Sequence, residues 1–339
     1  MAEAGTVLVT GGSGYIGGWC VIGLLQQGYT VRTTVRGLSR EAEVRAWLAK
    51  AVDAQDRLSF HAVDLMADAG WDAATEGCDY VLHVASPISA AEPKDENELI
   101  VPAREGAKRA VNAAIKGGVK RVVLTSSVAA TSGPTGLGVD DESAWTDATL
   151  ATTSAYSKSK TLAERDAWAL IAEKGGATSL ATVNPALVIG PVLGKDFSGS
   201  IQVVERLLGG RVPGIPRLGW NLVDVRDVAD LHIRAMTAPE AAGQRFIAAG
   251  HWAWMADVAT VLKARLGEGA RKVPTRKAPD FLLHLMGLFD KDIAGVASGL
   301  GRKHDFSSAK AQSVLGWRPR PMEESIVDCG KSLIAEGVV

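Results

Sequence analysis

The sequence predicts an α/β protein built on a doubly wound parallel sheet. Two features of the chain carry this prediction. Short runs rich in β-branched residues alternate with amphipathic helical patterns through the first two thirds of the 339 residues, and a glycine-rich turn directly follows the first run. Continuous apolar strands that alternate with helices are typical of a parallel sheet covered by helices on both faces.

Six runs are the predicted strands of this sheet. In chain order they read TVLVT, YTVRTTV, LSFHAVD, YVLHVA, RVVLTSS and LATVNPALVI, and amphipathic segments separate most of them. Residues 222–250 then predict a helix followed by another strand. We expect this strand to return the chain to the sheet.

The texture of the sequence changes after about residue 190. Glycine and proline punctuate GPVLGKDFSGS and GGRVPGIPRLG, and an aromatic and apolar region follows from His251 to about Gly301. We therefore expect a sheet domain over residues 1–190, completed by 222–250, and a smaller, discontinuous C-terminal lobe over 191–221 and 251–339.

Composition indicates a globular protein with a large core. Hydrophobic residues make up 47% of the chain and the net charge is −1. Lysine and arginine are scattered, which argues against a nucleic-acid partner or an acidic membrane surface. The apolar runs are too short to span a membrane, and the first residues lack the pattern of a signal peptide. We expect a cytoplasmic protein with no membrane segment.

Cysteine and histidine usage indicates neither a disulfide framework nor a metal site. The three cysteines, Cys20, Cys78 and Cys329, are too few and too far apart for either, which fits core thiols in a reducing compartment. The six histidines form no close liganding pair. We therefore predict no metal.

A glycine-rich turn connects the first predicted strand to the first predicted helix. VLVTGGSGYIGGWCVIGLL places glycines at positions 11, 12, 14 and 17. Such a turn lets the backbone approach a pyrophosphate, while the helix N-terminus offers unpaired N–H groups and a partial positive charge. Because strand, turn, helix and second strand follow in this order, the turn predicts dinucleotide binding.

The end of the second strand indicates which dinucleotide is bound. NAD-specific sites carry an acidic residue about 20 positions beyond the glycines. This chain has VRTTVRGLSR instead, with Arg36 at the strand end and Arg40 close behind. A guanidinium there suits a 2′-phosphate, so the predicted cofactor is NADP(H). The alternative is an exposed arginine with no ligand.

The stretch TTSAYSKSKTLAERDAW holds a tyrosine and a lysine one helical turn apart. Tyr156 and Lys160 would lie on one helix face and reach the same reacting atom. Lys158, Glu164 and Arg165 indicate that the helix also has a solvated side. On these residues alone, a catalytic pair and a solvent-exposed face are both open.

Seven segments together resemble a known family. TGGSGYIGG, TVRG, VDL, HVASP, LTSS, YSKSK and NPALVIGP occur in the order and approximate spacing of the extended short-chain dehydrogenases/reductases, and within that group of the dihydroflavonol reductase and aldehyde or ketone reductase branch. The resemblance covers nearly the whole chain. It implies a Rossmann-type fold with an NADP-binding domain and a smaller, discontinuous C-terminal substrate lobe.

The resemblance also assigns roles to particular residues. It makes Tyr156 the proton donor, Lys160 its partner, and the last serine of LTSS, Ser127 instead of Ser126, the group that orients the substrate. The cofactor-binding residues it implies are Gly11, Gly14, Tyr15, Ile16, Gly17, Arg36, Asp64, Leu65, Val84, Ala85, Ser86, Tyr156, Lys160, Pro185 and Val188.

One position departs from the family pattern. Plant members have asparagine in a Pro-x-x-Asn-Gly segment, where this chain has PAREG with Glu105. We assign Glu105 no role beyond a surface helix charge.

The chemistry expected of such residues is carbonyl reduction. Hydride transfer from a nicotinamide leaves negative charge on oxygen, so a positioned proton donor is needed, and a neighbouring ammonium favours the phenolate of tyrosine. We expect an NADPH-dependent, reversible reductase of aldehydes, ketones or dihydroflavonol-like substrates, either a monomer or a homodimer. The alternatives are a nucleotide-sugar epimerase or dehydratase and a non-catalytic NADP-sensing regulator.

Overall fold

The computed structural model describes residues 5–87, 93–133, 138–195, 197–288 and 297–339. The strands are β1 Thr6–Thr10, β2 Thr30–Val35, β3 Leu58–Ala62, β4 Tyr80–His83, β5 Arg121–Thr125, β6 Gly138–Asp140, β7 Ser179–Pro185, β8 Leu187–Ile189, β9 Gly219–Asp224, β10 Gln244–Ala248, β11 Trp252–Trp254 and β12 His304–Phe306. The helices are α1 Tyr15–Gln26, α2 Glu41–Leu48, α3 Trp71–Thr75, α4 Asn97–Lys116, α5 Ala155–Lys174, α6 Gln202–Leu208, α7 Val225–Thr237, α8 Met255–Leu266, α9 Asp280–Gly287, α10 Ala309–Leu315 and α11 Met322–Ala335.

The central layer is a seven-stranded sheet in the order β10-β7-β5-β4-β1-β2-β3. Every neighbouring pair in it is parallel. Helices α1 and α7 pack together over one face of the sheet, and α4 and α5 pack together over the other. The predicted doubly wound α/β fold is confirmed.

Burial on both faces explains the continuous apolar strands. Val7, Leu8 and Val9 of β1 are completely buried, although successive side chains point to opposite faces. Val7 and Val9 pack in the core below α1 and α7, whereas Leu8 packs in the second core below α4 and α5. The three cysteines are buried free thiols, as the sequence predicted.

The run LATVNPALVI forms two strands, so the prediction of a single strand is wrong. β7 ends at Pro185, and β8 joins a three-stranded sheet in the order β11-β9-β8. The N–H of Ala186 donates to the carbonyl of Ala248 at the end of β10, after which the chain leaves the large sheet. An apolar run alone does not show such a change of partner, because both strands are buried.

Residues 222–250 contribute to both sheets. β9 lies in the three-stranded sheet, α7 covers the large one, and β10 forms its edge beside β7. A two-stranded parallel pair, β6 with β12, connects the chain after β5 to its C-terminal part. The division into a sheet domain and a substrate lobe stays a prediction. No helix in the described part of the chain is long and apolar enough to cross a membrane.

Candidate active site

The predicted site residues lie along one edge of the sheet. Five neighbouring strands of the sheet, β2, β1, β4, β5 and β7, end at this edge. Arg36 follows β2, the turn from Gly11 to Gly17 follows β1, Val84–Ser86 follow β4, Ser127 lies just after β5, and Pro185 is the last residue of β7. Ligands of open α/β sheets bind at the carboxyl ends of the strands. The topology therefore brings these segments, far apart in sequence, to a common edge.

The glycine turn is a cradle that side chains would fill. Gly11 has a φ of +73°, and a Cβ there would lie 3.1 Å from Ala85. A Cβ on Gly17 would lie 2.2 Å from the Gly11 carbonyl oxygen. Gly14 precedes α1, whose first turn has no side-chain cap and no acidic residue. This backbone, with its unpaired N–H groups, fits a pyrophosphate.

Tyr15 and Ile16, the next two residues of the turn, present only their backbone to the pyrophosphate site. Tyr15 is buried in the core, and its hydroxyl has no hydrogen-bond partner among the residues that the structure describes. Burial raises the pKa of this phenol well above its usual value. Ile16 is half-buried against the same core. Their side chains pack the helix onto the sheet, which holds the turn in place.

Arg36 lies exposed just beyond β2. Within the described stretches no hydrogen bond or ion pair engages its guanidinium. Two threonines of β2 fix the strand to β1, since the Thr33 hydroxyl donates to the Val9 carbonyl over 2.9 Å and the Thr34 hydroxyl accepts from the Gly11 N–H over 3.0 Å. The position suits a 2′-phosphate next to the glycine cradle.

The end of β4 is held against the glycine turn by one side chain. The Thr10 hydroxyl accepts from the N–H groups of Val84 and Ala85, both over 3.0 Å, and is hydrogen-bonded to His83 Nδ1 over 2.9 Å. His83 is buried, and its burial, aided by the charge of Lys160, lowers its pKa to about 3. The imidazole is thus a neutral part of the core.

Ser127, Tyr156 and Lys160 come together at the ends of β5 and α5. Tyr156 is hydrogen-bonded to Ser127, and Lys160 Nζ lies 5.9 Å from the centre of the tyrosine ring. Ser154 caps α5 by accepting from the Ser157 N–H over 3.1 Å, so the helix begins just before the tyrosine. The Ser126 hydroxyl instead donates to Glu164 over 2.5 Å. The structure therefore brings Ser127, and not Ser126, to the tyrosine.

Burial governs the electrostatics of this cluster. It raises the pKa of Tyr156, while the hydrogen bond with Ser127 acts in the opposite direction. Burial also lowers the pKa of Lys160 to about 8, against the effect of Glu164, which raises it. Near neutral pH the phenol is protonated and the lysine is largely an ammonium, the two states that carbonyl protonation requires.

The other residues singled out from the sequence lie at the periphery of this edge of the sheet. Asp64 is exposed and accepts from the Met66 N–H over 2.7 Å, and Leu65 packs against Gly106 of α4. Pro185 and Val188 are buried on either side of the step from β7 to β8. Glu105 pairs with Lys108 and Arg109 on the surface of α4.

Two functional candidates were missed from the sequence. Glu164 is completely buried, so the expectation that it marks a solvated side of the helix is wrong; only Arg165 of that set is exposed. Its partner is Arg245 of β10, over 2.6 Å. A carboxylate four residues after Lys160 lies on the same helix face, and this spacing was the available signal. Ile88 of the segment HVASPI, residues 134–137 and Asp196 lie outside the described residues.

Comparison with known proteins agrees with this geometry. Residues 7–249 match the model of the NAD dependent epimerase/dehydratase family. Cinnamoyl-CoA reductase 1 of Arabidopsis thaliana is 38% identical over 248 residues, which is 72% of this chain and 70% of that protein. Dihydroflavonol 4-reductase of Zea mays is 36% identical over 279 residues, 79% of this chain and 76% of that protein.

A solved structure extends the likeness to the whole fold. The yeast methylglyoxal/isovaleraldehyde reductase Gre2 complexed with NADPH superimposes with a TM-score of 0.81 at 26% identity, over 98% of this chain and 100% of that one. The chain belongs to the NAD dependent epimerase/dehydratase family. Within it, the chain is an extended short-chain dehydrogenase/reductase of the dihydroflavonol reductase-like branch.

Proposed function

We propose that this protein is an NADPH-dependent carbonyl reductase in which Tyr156 protonates the carbonyl oxygen of the substrate. The observation that carries the proposal is the convergence of Ser127, Tyr156 and Lys160 beside the glycine cradle. The chain is an NADP-dependent oxidoreductase that acts on carbonyl or alcohol groups, as its reductase relatives are. The cofactor predicted from Arg36 is confirmed by neighbours that are NADPH complexes.

The residues of the edge fit this cofactor. The cradle from Gly11 to Gly17 would hold the pyrophosphate, and Arg36 would bind the 2′-phosphate. Val84–Ser86, after β4, lie between the cradle after β1 and Ser127 after β5, and Pro185 lies on the other side of Ser127 at the end of β7. When bound, the reduced nicotinamide supplies the hydride.

The side chains of the protein orient the substrate, donate the proton and stabilise the resulting charge. Ser127 hydrogen-bonds the carbonyl oxygen together with Tyr156, which fixes the oxygen and shares its developing charge. Tyr156 then gives its proton to that oxygen. The Lys160 ammonium stabilises the phenolate that remains, a role that needs the lysine charged. Since burial lowers the pKa of Lys160 to about 8, we expect turnover to fall as the pH rises above this value.

The substrate we propose is a neutral aldehyde or ketone, the class of the dihydroflavonol, methylglyoxal and isovaleraldehyde in the names of some relatives, whereas the cinnamoyl-CoA of others is a charged thioester. Residues 191–221, in the expected C-terminal substrate lobe, contain four cations, Lys195, Arg206, Arg211 and Arg217, which would bind a nucleotide sugar if they were free. Arg211 instead pairs with Glu205 over 2.7 Å, and Arg217 with Asp280 over 2.6 Å. Two of the four cations in this stretch are thus paired with carboxylates, which favours an uncharged substrate over the epimerase alternative.

The test is turnover across a panel of aryl aldehydes, aryl ketones, diketones and a dihydroflavonol, measured as loss of NADPH absorbance with NADH in parallel. We expect NADPH to be preferred. Tyr156→Phe should abolish turnover and leave the Kd for NADPH nearly unchanged, because the ring is kept and only the proton donor is lost. Retained reduction by this variant would refute Tyr156 as the proton donor, and silence of the wild type across the panel would favour the regulator alternative.

A further inference from the structure

A completely buried carboxylate lies one helical turn beyond Lys160. Glu164 of α5 is buried and accepts hydrogen bonds from side chains of three elements, α5 itself, β7 and β10, and from the residue after β5. The donors are Ser126 Oγ over 2.5 Å, Asn184 Nδ2 over 2.9 Å, Thr182 Oγ1 over 3.1 Å, Trp168 Nε1 over 3.3 Å and Arg245 Nε over 2.6 Å. An ionised carboxylate is an acceptor at both oxygens, and here both are used.

Arg245 connects Glu164 to the segments around the site. Its Nη1 donates to the carbonyls of Glu142 and Ala144 over 2.7 and 2.8 Å, and its Nη2 donates to that of Ala130 over 3.3 Å. The guanidinium also stacks 3.7 Å from the centre of the Trp145 ring. One cation on the edge strand β10 thus binds α5, the turn after Ser127 and residues 142–145.

We propose that Glu164 and Arg245 form a positioning pair for the catalytic step, holding Ser127 at Tyr156 and Lys160 in its charged form. This inference rests on the proposed function. Ser126, which precedes Ser127, donates to Glu164, and Asn184 donates both to Glu164 and to the Ser127 carbonyl, the latter over 3.2 Å. The backbone on both sides of the Ser127 hydroxyl is therefore fixed to the pair.

The electrostatic part of the proposal follows from what surrounds Lys160. A small cavity with room for about one water is lined by Lys160, Glu164, His83 of β4 and Ser126, which follows β5, whereas α4 contributes only alanines. Tyr156 faces the lysine from the same helix. With His83 neutral, Glu164 is the carboxylate that faces Lys160 and raises its pKa.

Removal of one partner alone is a poor test. In Glu164→Gln an amide NH₂ would face hydrogen-bond donors, and Arg245 would be left charged and unpaired in the interior, which is strongly destabilising. The double variant Glu164→Leu/Arg245→Met removes both charges at similar volume. Replacing a buried ion pair in this way is often neutral for stability, although here the other donors to Glu164 lose their acceptor, so we expect the variant to fold with reduced stability.

For the double variant we expect kcat to fall by roughly ten- to a hundredfold through misplacement of Ser127. The Kd for NADPH, followed by fluorescence, should change little. The alkaline limb of the pH profile should move to lower pH, because Lys160 loses the charge that raises its pKa. A kcat within about twofold of the wild type with an unmoved pH profile would show that the pair is only structural.

Two further variants make the test independent of the folding of the double variant. Ser126→Ala removes only the hydroxyl link to Glu164 and keeps both charges, so kcat should fall while the pH profile stays in place; an unchanged kcat would overturn the positioning proposal. Asp166→Asn is the matched control. Asp166 lies on the same helix as Glu164, but it pairs over 2.7 Å with Arg104 of α4, away from Ser127. This variant should leave kcat unchanged.

Failure of this proposal is distinguishable from failure of the proposed function. If the wild type reduces no carbonyl, or Tyr156→Phe retains turnover, the proposed function fails. If the wild type is active and Tyr156→Phe is inactive, but the double variant and Ser126→Ala keep wild-type kcat, the positioning pair alone is refuted.

Discussion

Gly17 lies where the first turn of α1 packs directly on the glycine turn. A Cβ there would meet the Gly11 carbonyl oxygen at 2.2 Å, so Gly17→Ala must displace backbone. We expect a cost of about 1 to 3 kcal/mol in stability and a weaker Kd for NADPH, measured by denaturant titration and fluorescence. Gly199→Ala is the control, because a Cβ at Gly199 meets nothing within 4 Å. If both variants bind NADPH as the wild type does, the cradle is not the cofactor site.

Arg36 is the residue on which the choice of cofactor depends. Arg36→Gln removes the charge that would pair with the 2′-phosphate, so KM for NADPH should rise by roughly ten- to a hundredfold while KM for NADH stays unchanged. Steady-state kinetics with both cofactors measures this. The exposed Arg318→Gln serves as a control for loss of a surface charge. An equal rise for both cofactors would argue against a specific phosphate contact.

The sequence predicted the residues whose pattern is local. The glycines at positions 11 to 17 and the pair Tyr156 and Lys160 are recognisable because a turn or a helix fixes their spacing. The role of Glu164 was not predicted, since its burial depends on Arg245, 81 residues further on. From sequence alone, a charged side chain is expected to be exposed unless a buried partner is known.

At the scale of the elements, long apolar runs were predicted well and short strands were not. Four strands of the large sheet, β1, β2, β5 and β7, each carry two or more β-branched residues. β6 and β12 have three residues each and pair across more than 160 positions, so no local pattern marks them. The division of LATVNPALVI between two sheets depends likewise on β9 and β10, which come later in the chain.

A buried tryptophan connects the C-terminal elements to α7. Trp317, after α10, is completely buried, and its Nε1 donates to the Asp227 carbonyl of α7 over 2.9 Å. Trp317→Ala should lower the free energy of unfolding by about 3 to 5 kcal/mol, measured by urea denaturation, because it leaves a large cavity. Trp317→Phe should cost much less, since most of the apolar area remains. Equal losses for the two variants would contradict a packing role.

For the molecule as a whole, a buried histidine sets a limit on acid stability. His232 is completely buried between Thr125 and the Val228 carbonyl, each over 2.7 Å, and burial lowers its pKa from 6.5 to about 4. Between about pH 4 and pH 6.5 the unfolded chain therefore binds a proton at this histidine that the folded chain does not bind. The contribution of His232 to stability should be almost complete above about pH 7 and smaller by about 2 kcal/mol at pH 5, and His83, whose pKa is lowered to about 3, adds a loss in the same direction.

Urea denaturation from pH 7 to pH 5 measures this loss. His232→Gln lacks the titrating group, so its stability should depend less on pH over the same range, even if it is lower at pH 7. The exposed His284→Gln should keep the wild-type dependence. A wild-type slope in His232→Gln would assign the acid sensitivity to other groups.

The order of the strands also decides when a growing chain can acquire its site. β1 to β5 occupy five adjacent places in the sheet and come from the first 125 residues, so this half can assemble while the remainder is still being synthesised. β10 closes the other edge and carries the cation that Glu164 needs. A nascent chain that ends before residue 244 would expose β7 as an open edge and leave a buried carboxylate uncompensated. Completion of the site is therefore coupled to emergence of the last strand of the sheet from the ribosome.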